Sequence, residues 1–327
     1  MYSRRNALLG AAGLLTACGA KLHRFPFDYG QSIQGGFSVT YYSVGCTLVR
    51  FGSRSFLTDP FWSHRPLSEV AAWPIRHDIE EIDKHRAQLS DVVAILVGHG
   101  HYDHCLDLDQ ITGDIRPDAA VYGSETLKRI FAKSAIDKPI VPVNNLTATP
   151  EKKGTWLYSE DRRLRVLPIL SGHPNQWLCF HLFKEKLKAD LKHPPRFAWD
   201  YQEGISLAFL VDFLDGETIE KRVYVQTSST GWPAGFFPKS VLDEAKVDLA
   251  ILSMDCANIK RKGIKPAIID FINPKTVLFC HWEDFFLPKS EIPREIVKVD
   301  LPDLKQFFKS TSENTYLFPA WNSSFQL

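Results

Sequence analysis

The run His99-Gly100-His101-Tyr102-Asp103-His104 puts three imidazoles and a carboxylate within six residues, directly after the apolar stretch Val92 to Val97 and Gly98. A continuous apolar run of that length suits a strand buried on both faces, inside a sheet covered by other layers. The strand ends at Gly98 and delivers the histidines immediately after it. Side chains alternate along extended backbone, so His99 and His101 point the same way, and Asp103 and His104 follow past the turn. Gly98 and Gly100 let other backbone approach closely. A solitary buried histidine is usually a packed core residue, whereas clustered neutral imidazoles beside a carboxylate form the donor set that zinc selects. One or two transition-metal ions are expected here, Zn2+ first, with Mn2+ or Fe2+ as the alternatives. The pattern is not the helical HExxH of zinc peptidases.

The rest of the chain supplies layers for that strand. Phe37 to Tyr42, Cys46 to Phe51 and Ser55 to Leu57 read as an antiparallel meander broken at Gly45 and Gly52-Ser53. Ile79 to Leu89 has apolar residues at helical spacing and feeds Val92 to Val97. Further buried-strand candidates are Leu164 to Leu170, Ile205 to Phe213, Arg222 to Val225, Leu249 to Leu252 and Thr276 to Phe279, with helical patterns at Glu125 to Lys133 and Lys239 to Ala245. The segment 183–200 reads as an insertion, a short charged helix over Lys184 to Lys188 followed by a proline-broken loop at His193-Pro194-Pro195. An α/β (α+β) layered core over residues 37–327 is the expected class.

The charge balance, 39 basic against 38 acidic residues for a net +1, gives no reason to expect nucleic acid. At the N-terminus Arg4 and Arg5 precede an apolar run from Ala7 to Leu15 that is too short to span a bilayer, so residues 1–17 read as an export signal. Ser3 to Leu9 resembles a twin-arginine signal, and Leu15-Thr16-Ala17-Cys18 resembles a lipobox. The expectation is a protein lipidated at Cys18, with 18–36 as linker, held at the periplasmic face of the outer membrane. The other cysteines, Cys46, Cys105, Cys179, Cys256 and Cys280, form no CxxC pair and no readable disulfide framework.

The motif from His99 to His104 resembles the HxHxDH signature of the metallo-β-lactamase-fold hydrolases. That resemblance implies a four-layer αββα sandwich and assigns further residues in order. Thr58-Asp59-Pro60 looks like the early aspartate that supports a metal-bound histidine. His173, in Ser171-Gly172-His173-Pro174, looks like the third histidine of a first metal site with His99 and His101. His281, in Cys280-His281-Trp282, looks like the last ligand of a second site with Asp103 and His104. Tyr102 and the His281-Trp282 pair resemble the branch holding N-acyl-phosphatidylethanolamine phospholipase D and the sugar-lactone hydrolases. One departure matters: Ser228 stands where relatives carry an aspartate that bridges two metals. Without that charge a mononuclear or unequal centre is expected, unless Asp255 turns inward. Gly45-Cys46 departs from a Gly-His that is not a core ligand.

By the same resemblance the reaction is hydrolysis, with Asp103 orienting water and accepting its proton. Trp62, Trp177, Trp199, Trp232, Trp282, Phe285 and Phe286 are either core or the wall of a cleft for an amphipathic substrate. The substrate expected is a phosphodiester of a lipid or related molecule, with a lactone or carboxylic ester as the alternative. A metal-binding envelope lipoprotein without turnover is the reading from another class. His23, His64, His77, His85, His181 and His193 are expected to be mostly solvated.

Overall fold

A computed structural model of the chain describes residues 27–30, 35–174, 183–228, 232–254, 267–295, 305–308 and 314–327. The segment read as an export signal, with Cys18, lies outside them, as do Trp177 and Asp255.

The meander is β1 (Phe37–Ser43), β2 (Cys46–Phe51) and β3 (Arg54–Thr58), paired antiparallel in the register Val39↔Val49 and Val49↔Phe56. After α1 (Leu67–Ala72) and α2 (Ile79–Arg86), β4 (Val92–Leu96) joins β3 in parallel. Asp78 caps α2 by accepting from Glu81 N–H at 3.2 Å. Two single turns, α3 (Tyr102–Cys105) and α4 (Leu108–Ile111), lead to β5 (Ala120–Gly123), and α5 (Glu125–Ile130) leads to β6 (Ile140–Pro142), both strands parallel to β4.

The second sheet repeats the scheme. β7 (Leu157–Tyr158), β8 (Leu164–Leu170), β9 (Leu207–Asp215) and β10 (Thr218–Gln226) are antiparallel. β11 (Leu249–Ser253), then α6 (Ala267–Ile272), β12 (Thr276–Cys280) and β13 (Thr315–Leu317) extend it in parallel. The chain then returns to the first sheet, where β14 (Ser323–Gln326) pairs with β1. The orders are β14-β1-β2-β3-β4-β5-β6 and β13-β12-β11-β10-β9-β8-β7.

Period-two alternation sorts side chains between layers. Phe56, Ala94 and Leu96 enter the core shared with Val166, Phe209, Val211 and Leu252 of the second sheet. Their neighbours Leu57, Ile95 and Val97 face outward beneath Ile82, Leu106 and Leu127 of the helices. Each of these side chains is buried, and full burial of a Leu, Ile or Phe contributes about 1.5–3 kcal/mol. Arg222 and Asp212, cross-strand partners on β10 and β9, form a fully buried bidentate pair at 2.7 and 2.8 Å.

Three expectations need correction. Lys239 to Ala245 forms only a 3-10 turn at Lys239–Val241, because the Val241 and Ala245 carbonyls accept from Arg222 Nη1 at 2.6 and 3.1 Å instead of continuing a helix. Lys184 to Lys188 is not helical: the carbonyls of Phe183 and Glu185 accept from Glu203 and Gly204 N–H at 2.8 and 3.2 Å, which draws the segment out. Five residues are too few to nucleate a helix against that competition. His64 and His85 are buried rather than solvated. His64 Nδ1 donates to Leu287 O at 3.0 Å, and burial lowers its pKa to about 3.

Candidate metal centre

The apolar strand β4 delivers the histidine run to the rim of the sandwich, where the two sheets' connections meet. Gly98 O accepts from Leu207 N–H at 2.7 Å and Gly100 N–H donates to Glu203 O at 3.0 Å. The crossing is so tight that a Cβ at Gly100 would fall 2.3 Å from Gln202 O, and one at Gly98 would fall 2.6 Å from Thr227 Oγ1. His99 and His101 are buried there, with His99 Nε2 facing His101 Nδ1 at 2.8 Å. His173, three residues past the end of β8, closes the group, its ring centroid 4.7 Å from that of His99 and 4.9 Å from that of His101. The three offer ligand nitrogens within 4.8 Å of one another.

Asp103 and His104 lie on the single turn α3, and His281 directly follows β12. Asp103 Oδ2 is 3.6 Å from His104 Nε2 and 3.5 Å from His281 Nε2, and these three also offer donor atoms within 4.8 Å of one another. The two triads adjoin, since the His99 and His104 ring centroids are 4.0 Å apart. The structure thus brings together all six residues expected from the sequence as ligands, three imidazoles in one set and two imidazoles with a carboxylate in the other.

Asp59 ties the rim together. It is fully buried and takes a positive φ of +37°, a conformation that a non-glycine residue holds only when its surroundings enforce it. Its Oδ1 accepts Gly98 N–H at 2.6 Å and its Oδ2 lies 2.7 Å from His104 Nδ1. The proton on Nδ1 leaves His104 Nε2 as the free lone pair. Ser228, two residues past β10, is buried, its carbonyl accepting from Ser171 Oγ at 3.3 Å, and its Oγ has no hydrogen-bond partner among the described residues.

Burial holds the His99 imidazole well below its ordinary pKa, and the neighbouring rings of His104, His101 and His173 push it the same way, so it is neutral and able to ligate. Burial raises Asp103, but His104 and contact with His281 outweigh it and keep the carboxyl well below the usual range. Burial pushes the Cys105 thiol well up, so it stays protonated, donating to His101 O at 3.2 Å, and is not a ligand. His104 Nε2 is buried with no hydrogen-bond partner among the described residues. An orphaned imidazole nitrogen facing a carboxylate and two further imidazoles is what a divalent transition ion satisfies, and the residues present fit one.

Residues 54–188 match the model of the Beta-lactamase superfamily domain. No curated protein matches the chain significantly in sequence. Among solved structures, the metallo hydrolase Igni18 from Ignicoccus hospitalis is 15% identical, with a TM-score of 0.53 over 89% of this chain and 99% of its own. An isothiocyanate hydrolase from Delia radicum gut bacteria is 12% identical, with a TM-score of 0.54 over 89% and 99%. The chain has the metallo-β-lactamase fold. A third structure of this fold, a possible metal-dependent hydrolase from Veillonella parvula, is 12% identical, with a TM-score of 0.52 over 90% of this chain and 100% of its own. At these identities the three structures are alike in fold, and the family model covers the part of the chain that carries the histidine run.

Within that fold the aromatic residues divide. Trp62 and Trp282 are fully buried and belong to the core, whereas Trp232 is exposed. Phe285 stands beside the centre, its ring 5.6 Å from that of His281 and 6.4 Å from that of Tyr102, with Phe286 packed behind it, tilted, at 4.7 Å. Trp199 stacks on Phe197 at 4.5 Å. Two residues of the site escaped the sequence reading. Thr227 was hidden beside Ser228, and Glu283 carried only the signal of a charged residue in an otherwise apolar stretch.

Proposed function

We propose that this chain is a zinc-dependent hydrolase that cleaves an ester-type bond, with a phosphodiester of a lipid or related amphipathic molecule as its first substrate class. The observation that carries the reading is the pair of adjoining donor triads at one rim, His99-His101-His173 and Asp103-His104-His281. A zinc ion bound there would lower the pKa of water towards about 7 and polarise a substrate oxygen. Asp103, held ionised, accepts a hydrogen bond from the attacking water and orients it. Asp59 keeps His104 in its ligating tautomer. Phe285, packed on His281 and Tyr102, gives an apolar surface beside the chemistry, which suits an acyl chain better than a small polar metabolite. Lipid attachment at Cys18 to the outer membrane, facing the periplasm, would place the site next to such substrates.

The test is metal content of purified protein followed by turnover of bis(p-nitrophenyl) phosphate and p-nitrophenyl butyrate, beside His101→Ala. Metal-dependent phosphodiester turnover that His101→Ala abolishes is expected; butyrate cleavage alone favours the lactone or ester reading. Equal rates from the two proteins would sink the enzyme. They would favour a metal-binding envelope lipoprotein without turnover, the reading for which Ser228 speaks. Mass spectrometry of membrane-extracted protein should find a diacylglyceryl group on Cys18; an unmodified N-terminus ahead of it rules the anchor out.

A further inference from the structure

His281 belongs to a strap, residues 281–289, that crosses from the end of β12 back to the first sheet, and two buried charges fasten it. Near one end the Glu283 carboxylate is fully buried. Its Oε1 accepts from Tyr41 Oη and from Val44 N–H, both at 2.5 Å, and from Trp321 Nε1 at 3.3 Å. At the other end Lys289 Nζ donates to Tyr42 O at 3.3 Å and lies 3.8 Å from Glu81 Oε1.

The Glu283 end bears on the metal centre through one peptide. Val44, whose N–H Glu283 holds, offers its carbonyl to His281 N–H at 3.0 Å. Val44 and His281 both occupy the left-handed region, at φ +48° and +57°. That conformation is disfavoured for any non-glycine residue and most for a β-branched one, so the Val44-His281 contact persists only while something fixes the turn. Glu283 is the group that does so, and the fixed backbone sets His281 Nε2 at 3.5 Å from Asp103 Oδ2. We infer that Glu283 is a positioning residue for the Asp103-His104-His281 half of the centre, acting by the reach of its side-chain Oε1 to Val44 N–H.

The inference rests on the reading of the two triads as metal sites, and apo full-length chain titrated with cobalt(II) chloride tests both, followed by visible ligand-field bands and calorimetry. Wild type is expected to take up two unequal equivalents. Glu283→Asp, one methylene shorter, cannot reach Val44, and it should weaken the second equivalent about tenfold or more with the first unchanged. Glu283→Gln keeps an oxygen at the same reach and should stay near wild type in both steps. Lys289→Met, at the far anchor, should lower the melting temperature and leave both cobalt steps alone. Tyr41→Phe removes one hydroxyl from the same oxygen and should weaken the second step about threefold; it decides the matter if Glu283→Asp does not fold. Unchanged second-step affinity in Glu283→Asp and Tyr41→Phe overturns the inference, as does Glu283→Gln binding as weakly as Glu283→Asp. A single equivalent in wild type overturns it too, leaving the metallohydrolase reading intact. No cobalt uptake at all overturns that reading itself.

Discussion

Asp59 Oδ2 lies 2.7 Å from His104 Nδ1, and the other oxygen of the same carboxylate holds the backbone N–H of Gly98, the residue just before the histidine run. One buried side chain thereby fixes both the ring orientation of a ligand and the place where its loop leaves the strand. Asp59→Asn would put an amide N–H2 against one of these two donors. Metal affinity is expected to fall about 10- to 100-fold, measured by competition with a chromophoric chelator.

Gly98 has no room for a side chain. In Gly98→Ala the new methyl would stand 2.6 Å from Thr227 Oγ1 and 3.4 Å from Asp59 Oδ2. A loss of about 1–3 kcal/mol in stability is expected, along with weakened metal uptake. Thr227→Ala on the same chain should recover part of both, and a double-mutant cycle in urea with metal analysis reads the coupling.

The grouping of the candidate ligands was legible in the sequence because four of them cluster in one run and because His173 and His281 each follow an apolar strand. The meander, β4, β8 and β9 to β12 were legible through continuous or alternating apolar residues. Short elements were not: β5 is four residues, and β14, Ser-Ser-Phe-Gln, owes its conformation to pairing with β1. The tertiary partners that reshaped 184–188 and 239–245, backbone of Glu203 and Gly204 in one case and the Arg222 guanidinium in the other, leave no trace in local periodicity. Glu283 was unreadable for the same reason, since its partners Tyr41 and Val44 lie more than two hundred residues away.

Ser228→Asp would add a carboxylate at a buried position whose present Oγ has no hydrogen-bond partner among the described residues. Without metal that charge is uncompensated, so the apo protein should melt lower than wild type. If that carboxylate reaches bound metal, as the aspartate that the family resemblance places here would, the second equivalent of zinc should bind about tenfold tighter or better. Calorimetry on apo and loaded forms should show the two opposite shifts.

His64 makes stability depend on pH. Its pKa falls from the ordinary 6.5 to about 3 in the fold, chiefly through burial. The unfolded chain therefore binds the proton more readily between those values, and acidification through that window favours unfolding. Relative to pH 8, the contribution lost at pH 5 is about 2 kcal/mol. Urea unfolding of the apo protein at the two pH values, beside His64→Gln, should show a smaller difference in the variant.

The Arg222-Asp212 pair lies away from the metal ligands. Asp212→Ala strands a fully buried guanidinium, which also loses the alignment that Arg165 Nε gives the same carboxylate at 2.8 Å. About 3–5 kcal/mol of stability should disappear, read as a lower urea midpoint, with metal stoichiometry unchanged wherever the variant is folded.

The last strand of the chain, β14, completes the sheet that the first strand begins, with Ser38 opposite Gln326 and Tyr41 opposite Ser323. On the ribosome β1 therefore has to wait for nearly three hundred residues of synthesis before its outer edge is covered. Until then it presents a free row of peptide groups to any neighbouring nascent chain. Closure of the sheet at that edge rests on a single pairing between residues far apart in the chain, which makes it a long-range and therefore late step of folding.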